Sequence, residues 1–208
     1  MISSEAINDY LSRLASRQPT PGGGAAAALH AAQGAALVAM VARYTTGGKY
    51  EQHAPAVSRI ISTAEDLIGE ALRLADADEH AFQDVIDAYK LPATTDGERA
   101  GRAASIQDSL IQAAQPPVQL ISLSGVIVDL ATELLDIANT NVISDVAAAA
   151  EAARAAATTA RVNIDINVAA IKDSDARSSL ASRTDGLEEK VVLAAESLTR
   201  RVRERILG

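Results

Sequence analysis

Three groups of residues in this 208-residue chain are suited to moving a proton or gripping a small polar ligand. The first is a single acid. Val57, Ile60, Ile61, Ala64, Leu67, Ile68, Ala71 and Ala75 recur at helical spacing, and Phe82, Val85, Ile86 and Tyr89 resume the pattern. Carrying the stripe from Ala75 to Phe82 lands on Asp78, whereas Asp76 falls elsewhere around the axis, toward solvent or an edge. A carboxylate turned inward is costly unless it is paired or takes up a proton. A carboxyl whose pKa is drawn toward neutrality is the tool of general acid–base catalysis. The same pattern also suits a structural Asp78, paired with a buried Arg or capping a kink.

The second group is Asn139-Thr140-Asn141-Val142-Ile143-Ser144-Asp145. Thr140 or Asn141 reads as an N-cap, with Asp145 in the first turn, where the helix dipole favours negative charge. Asn141, Ser144 and Asp145 beside bare N–H groups also suit a heterocycle that both donates and accepts. The third group is the i,i+4 amide pair Asn163 and Asn167, set among apolar neighbours and in need of partners. Asp145 and Asn163 share a helix face but stand ~27 Å apart along the axis. A small site cannot use both from one helix; an elongated ligand or a site across two subunits can. His30, His53 and His80 lack metal-ligand spacing and read as surface or cap residues.

These groups need rigid elements to hold them. Helical periodicity runs throughout, with no alternating strand, and predicts helices over 3–17, 23–46, 52–90, 95–138, 141–172 and 175–206. Pro116-Pro117 interrupts the fourth segment and requires a kink or break. Leu180, Leu187, Val191, Ala194, Leu198, Val202 and Ile206 form one stripe along the last. Ahead of the second helix, Pro19-Thr20-Pro21-Gly22-Gly23-Gly24 makes a side-chain-poor corner where backbone N–H groups stand open to a flat ligand or another chain. The expectation is one all-α domain over 1–208, an antiparallel up-and-down bundle of about six long, partly kinked helices.

Composition narrows the function classes. Apolar residues make up 48% and aromatics 2%, so the core is built from Ala, Leu, Ile and Val and its helices approach closely. That also favours a self-associating protein. The absence of Cys excludes disulfides, thiolate metal sites and a Cys nucleophile. A net charge of −8 argues against nucleic acid, and no uninterrupted apolar run is long enough for a membrane span. With no signal-peptide pattern at Met1-Ile2-Ser3-Ser4-Glu5, a soluble cytoplasmic protein is expected.

The ordered set of motifs resembles the folate-dependent cyclodeaminase and cyclohydrolase family. It comprises residues 19–24, Gly34 to Val41, Asp76-Ala77-Asp78 with Ala81-Phe82, Ala88-Tyr89-Lys90-Leu91-Pro92, Asn141 to Val146, and Asn163 to Asn167. The likeness spans about 5 to 200. It departs at Ala25, where Ser is usual, and at Thr140, where Pro is common; the lost hydroxyl removes one potential ligand contact. The resemblance implies a dimeric all-α bundle acting on tetrahydrofolate derivatives with no metal and no other cofactor. One family reaction closes 5-formiminotetrahydrofolate to 5,10-methenyltetrahydrofolate with loss of ammonia. The other hydrolyses the methenyl compound to 10-formyltetrahydrofolate. The sequence shows no formiminotransferase half, which favours the hydrolysis.

On that resemblance Asp78 is the catalytic acid–base. Gly22, Gly23 and Gly24 admit the folate against backbone, and Asn141, Ser144 and Asp145 hold the pterin or the one-carbon bridge. Lys90 meets the anionic tail, and Asn163 and Asn167 position the ligand or brace the helices. The rival expectation is a non-catalytic helical dimer that binds a small molecule or a partner helix. A corrinoid-modifying bundle enzyme is disfavoured, since no phosphate loop with Lys or paired Arg stands out.

Overall fold

The structure is a computed structural model describing residues 1–208. Its helices are α1 (Ile7–Leu14), α2 (Gly23–Tyr44), α3 (Ala54–Lys90), α4 (Asp96–Ala113), α5 (Gln115–Ile137), α6 (Ile143–Ala170), α7 (Ser174–Thr184) and α8 (Leu187–Leu207), with short 3-10 turns at Ile2–Ser4, Gly48–His53 and Thr140–Val142. There is no strand, as the periodicity anticipates. α2 runs through the middle, packed mainly between α3 and α6, and α5 and α8 close the far side.

The small-residue core decides how near these helices lie. α2 buries Ala25, Ala27, Ala28, Ala31, Ala32, Gly34, Ala35, Ala39 and Ala42, and α6 answers with Ala149, Ala150, Ala153, Ala156, Ala157 and Ala160. At Gly34 the backbones come so close that a Cβ would stand 3.1 Å from the Ala149 carbonyl oxygen. By length and composition α2 could cross a membrane, but here it is the centre of the bundle and mostly buried. Its apolarity is that of a core helix.

Three helix boundaries differ from the sequence reading. The 95–138 segment is two helices that meet at Ala114, with Pro116 and Pro117 in the first turn of α5, where a missing N–H costs nothing. The 175–206 segment is also two, because Asp185 and Gly186 interrupt it and Gly186 takes φ +64°, a conformation that suits glycine. The 3–17 segment shrinks to a 3-10 turn and the eight residues of α1. Within the expected stripes, Leu180, Val191, Leu198 and Val202 are buried, but Ile206, Phe82 and Tyr89 are exposed.

α4 begins with a full capping box. Thr95 Oγ1 accepts from the Glu98 N–H at 3.2 Å, and Glu98 Oε2 accepts from the Thr95 N–H at 2.8 Å. Ahead of α6, Asn139 caps the 3-10 turn Thr140–Val142, its Oδ1 accepting from the Asn141 N–H at 3.1 Å, and α6 itself follows Val142 with no side-chain cap, so neither Thr140 nor Asn141 caps it. Its Nδ2 also donates to the Tyr44 carbonyl at 3.0 Å, which ties the start of α6 to the end of α2.

Candidate active site

α2 starts with no cap of its own. Gly22 precedes it with no side chain to accept from the first N–H groups. One of them, the Ala25 N–H, is approached from outside by Asp78 on α3. The Ala25 N–H donates toward the Asp78 carboxylate, and a Cβ on Gly24 would overlap that carboxyl group. Glycine at position 24 is therefore what lets the carboxyl lie against the helix end.

Two opposed effects act on this acid. Burial removes water from the charged form and is the larger, whereas the Ala25 N–H favours the carboxylate; neighbouring Glu79 adds to the upward push. The result is a carboxyl raised from 3.8 to about 6. Such a group takes and gives protons readily near neutral pH.

Asp78 faces a cleft of about 190 Å³ lined by residues that include Thr20, Gly22, Gly23, Gly24, Asn163 and Asn167. Both amides come from α6, one turn apart. Asn163 Nδ2 donates to the Thr159 carbonyl at 2.9 Å, which fixes the side chain and leaves its Oδ1 free to accept. The cleft thus sets one near-neutral acid, two amides and a helix end against each other. Phe82 and Ile166 form apolar walls and remain 45% and 66% exposed at its mouth.

The structure therefore brings together Asp78, Gly22, Gly23, Gly24, Asn163 and Asn167, and leaves the other candidates outside. Lys90 is exposed and donates to Asp87 Oδ1 at 2.8 Å. It sits twelve residues beyond Asp78, or ~18 Å along α3. Asn141, Ser144 and Asp145 lie at the other end of α6, beside Tyr44 and Thr45, so no single protomer joins them to Asp78. Their spacing fits the helix start they form. His30 and His80 are exposed, and His53 precedes α3. The amides Asn163 and Asn167 face the cleft rather than the core.

Sequence reasoning missed Tyr10, Arg13 and Glu79, which gather behind Asp78. Arg13 Nη2 donates to Glu79 Oε1 at 3.2 Å across 66 residues of chain, a pairing with no local signal. Asp76 does have a structural partner: its Oδ1 accepts from the Ile2 N–H at 2.8 Å.

A family model described as formiminotransferase-cyclodeaminase matches residues 6–186. The methenyltetrahydrofolate cyclohydrolase of Methylorubrum extorquens is 38% identical over 174 residues, which are 83% of this chain and 84% of that protein. The chain belongs to the formiminotransferase-cyclodeaminase family. Within the family, the formimidoyltransferase-cyclodeaminase of Mus musculus is 32% identical over 81% of this chain, a match that covers 31% of the mouse protein. The crystal structure of the formiminotetrahydrofolate cyclodeaminase of Thermotoga maritima superposes with a TM-score of 0.87 at 28% identity, covering 100% of both chains. The family is one of folate one-carbon cyclohydrolases and cyclodeaminases, and the all-α bundle seen here is its fold.

Proposed function

We propose that this protein hydrolyses 5,10-methenyltetrahydrofolate to 10-formyltetrahydrofolate, with Asp78 as general base and then general acid. The observation that carries this reading is the Asp78 carboxyl. It lies half-buried against the start of α2, poised near pH 6, and opens on a cleft with two amides. The 38% identical cyclohydrolase, matched along most of both chains, favours hydrolysis over ammonia release.

The substrate's amidinium carbon bridges N5 and N10. Water adds to that carbon while Asp78 accepts one of its protons, giving a neutral tetrahedral intermediate. The carbon–N5 bond then breaks as Asp78 returns the proton to N5. The remaining hydroxyl proton leaves to solvent and the formyl group stays on N10. A carboxyl with a pKa of about 6 serves both directions of transfer near neutral pH. The amides of Asn163 and Asn167 hold the pterin edge or the bridge, and the glycine corner lets the ring lie on backbone. No cofactor beyond the folate is required by this scheme.

A cleft of about 190 Å³ takes the reacting end of a folate and not its whole length. The rest of the ligand extends over Phe82 and Ile166. We place a second copy of the chain against these exposed apolar walls, as a homodimer.

The test is loss of the near-ultraviolet absorbance of 5,10-methenyltetrahydrofolate with wild type and Asp78→Asn. Turnover that collapses in the variant supports the scheme, and equal kcat in both removes Asp78 from it. The second reading is cyclisation of 5-formiminotetrahydrofolate, favoured by the full-length match to the Thermotoga maritima cyclodeaminase. It uses the same acid to relieve N10 of a proton and to protonate the departing amine. Ammonia release from the formimino substrate, without hydrolysis of the methenyl one, would select it.

A further inference from the structure

The N-terminal residues are fastened to the turn of α3 that carries Asp78. Ile2 is buried and its N–H is held by Asp76. From α1, Arg13 makes a two-pronged contact with Glu5, Nε to Oε1 at 2.9 Å and Nη2 to Oε2 at 3.0 Å, while Nη2 also reaches Glu79. Little of these acids meets water: the Glu5 and Glu79 side chains keep 18% and 17% of their exposure. Tyr10, one turn before Arg13, is buried with its hydroxyl unpartnered. It lies within the fields of Glu79, Arg13, Glu5 and Asp78.

The other charges around Asp78 are few or spoken for. α2 offers the Ala25 N–H and no charged side chain at this end, and α4 contributes Ala113 to the cleft. α6 brings the neutral Asn163 and Asn167, with Arg161 Nε paired to Asp165 Oδ1 at 2.9 Å. On α3 itself, Asp76 is bonded to Ile2, His80 is exposed, and Glu79 stands next to Asp78 in the chain. Asp9 and Arg17 near α1 are exposed. The unneutralised part of the Glu79 charge is thus the adjustable field on Asp78, and Arg13 is the cation that masks it.

We infer that Arg13 is a positioning residue for the proton-transfer step, setting the proton affinity of Asp78 by neutralising Glu79 and holding α1 behind it. The energy of such a partly exposed pair contributes little to stability. A neighbour's charge is still felt: one charge gained or lost at roughly 8 Å moves a pKa by about half a unit even at the dielectric constant of water, and by more where water is scarce. The effect on rate rests on Asp78 being the catalytic base; the effect on Asp78 itself does not.

The experiment is a 13C carboxyl NMR titration of the full chain, with the Asp78 signal identified by its loss in Asp78→Asn. It is run on wild type, Arg13→Gln, Glu79→Gln, the double variant and Arg13→Lys, beside pH profiles of kcat/KM for methenyltetrahydrofolate hydrolysis. Arg13→Gln unmasks Glu79, so the Asp78 midpoint rises by about half a unit. Glu79→Gln lowers it by a similar amount. The double variant returns near wild type, and Arg13→Lys restores most of the effect. Midpoints that stay fixed, or move the same way in both single variants, overturn the inference even if melting temperatures fall, since that is what a mere brace would do. If Arg13→Gln does not fold, Arg13→Met, which keeps the aliphatic stem without the charge, must show the same rise, and an unmoved midpoint there overturns the inference. An NMR midpoint that moves while the rate profile stays put overturns the role of Arg13 in proton transfer and removes Asp78 as the base.

Discussion

Replacing Asp78 with Asn should make the protein more stable and less active at once, and the size of the gain follows from the half-buried carboxyl. In the unfolded chain this acid has its ordinary pKa, and in the folded one it stands at about 6. Between those values the folded state binds more proton than the unfolded, so stability falls as pH rises through the window and levels off above it. The interval from 3.8 to about 6 corresponds to about 3 kcal/mol once both states are ionised. Asn resembles the protonated acid, still accepts from the Ala25 N–H, and carries no such cost. At pH 7.5 the variant is therefore expected to gain up to about 3 kcal/mol, which for a chain of this size is roughly 6–12 °C in Tm. At pH 4, close to the ordinary pKa, the gain should shrink to about 0.5 kcal/mol. Calorimetric melts of both proteins from pH 4 to 8 give the difference curve directly, because every other titrating group cancels. Hydrolysis by the variant should fall roughly 10²–10⁴-fold in kcat. A stability difference that does not change with pH would refute the claim that burial raises this carboxyl, whatever happens to the rate.

Gly24→Ala places a methyl group on the Asp78 carboxyl. A loss of about 1–3 kcal/mol in urea unfolding is expected, with hydrolysis reduced as the acid is pushed from the helix end. Asn163→Ala and Asn167→Ala should each weaken folate binding by roughly tenfold, seen as a raised KM with little change in Tm. A fall in kcat with unchanged KM would mean these amides act only in the transition state. Tyr10→Phe removes a buried hydroxyl that has no partner, so thermal unfolding should show a gain of about 1 kcal/mol. A loss instead would reveal that the hydroxyl is held by a water.

How much was legible beforehand depends on how local the cause was. The break in the apolar stripe singled out Asp78 because burial on one helix face leaves a period that any misplaced charge disrupts. The glycine corner was visible for a similar reason, being a property of consecutive residues. Lys90 was drawn toward the site as a cation for an anionic tail, and the Asn141–Asp145 group by its polar side chains beside bare N–H groups as well as by likeness to family motifs. Their local surroundings, Asp87 for the one and the start of α6 for the other, account for where they lie.

By itself the sequence determined the helical class, the alanine-built core, and the one acid set where an apolar residue belonged. All three arise from interactions within a few turns of one chain segment, and these are written as spacing. Only the tertiary structure decided that this acid lies against the start of α2, that Gly24 must lack a side chain to allow it, and that Arg13 and Glu79 meet behind it. Those contacts join residues dozens of positions apart, and their geometry is fixed by how closely helices with small side chains can pack. No periodicity within a segment records that distance.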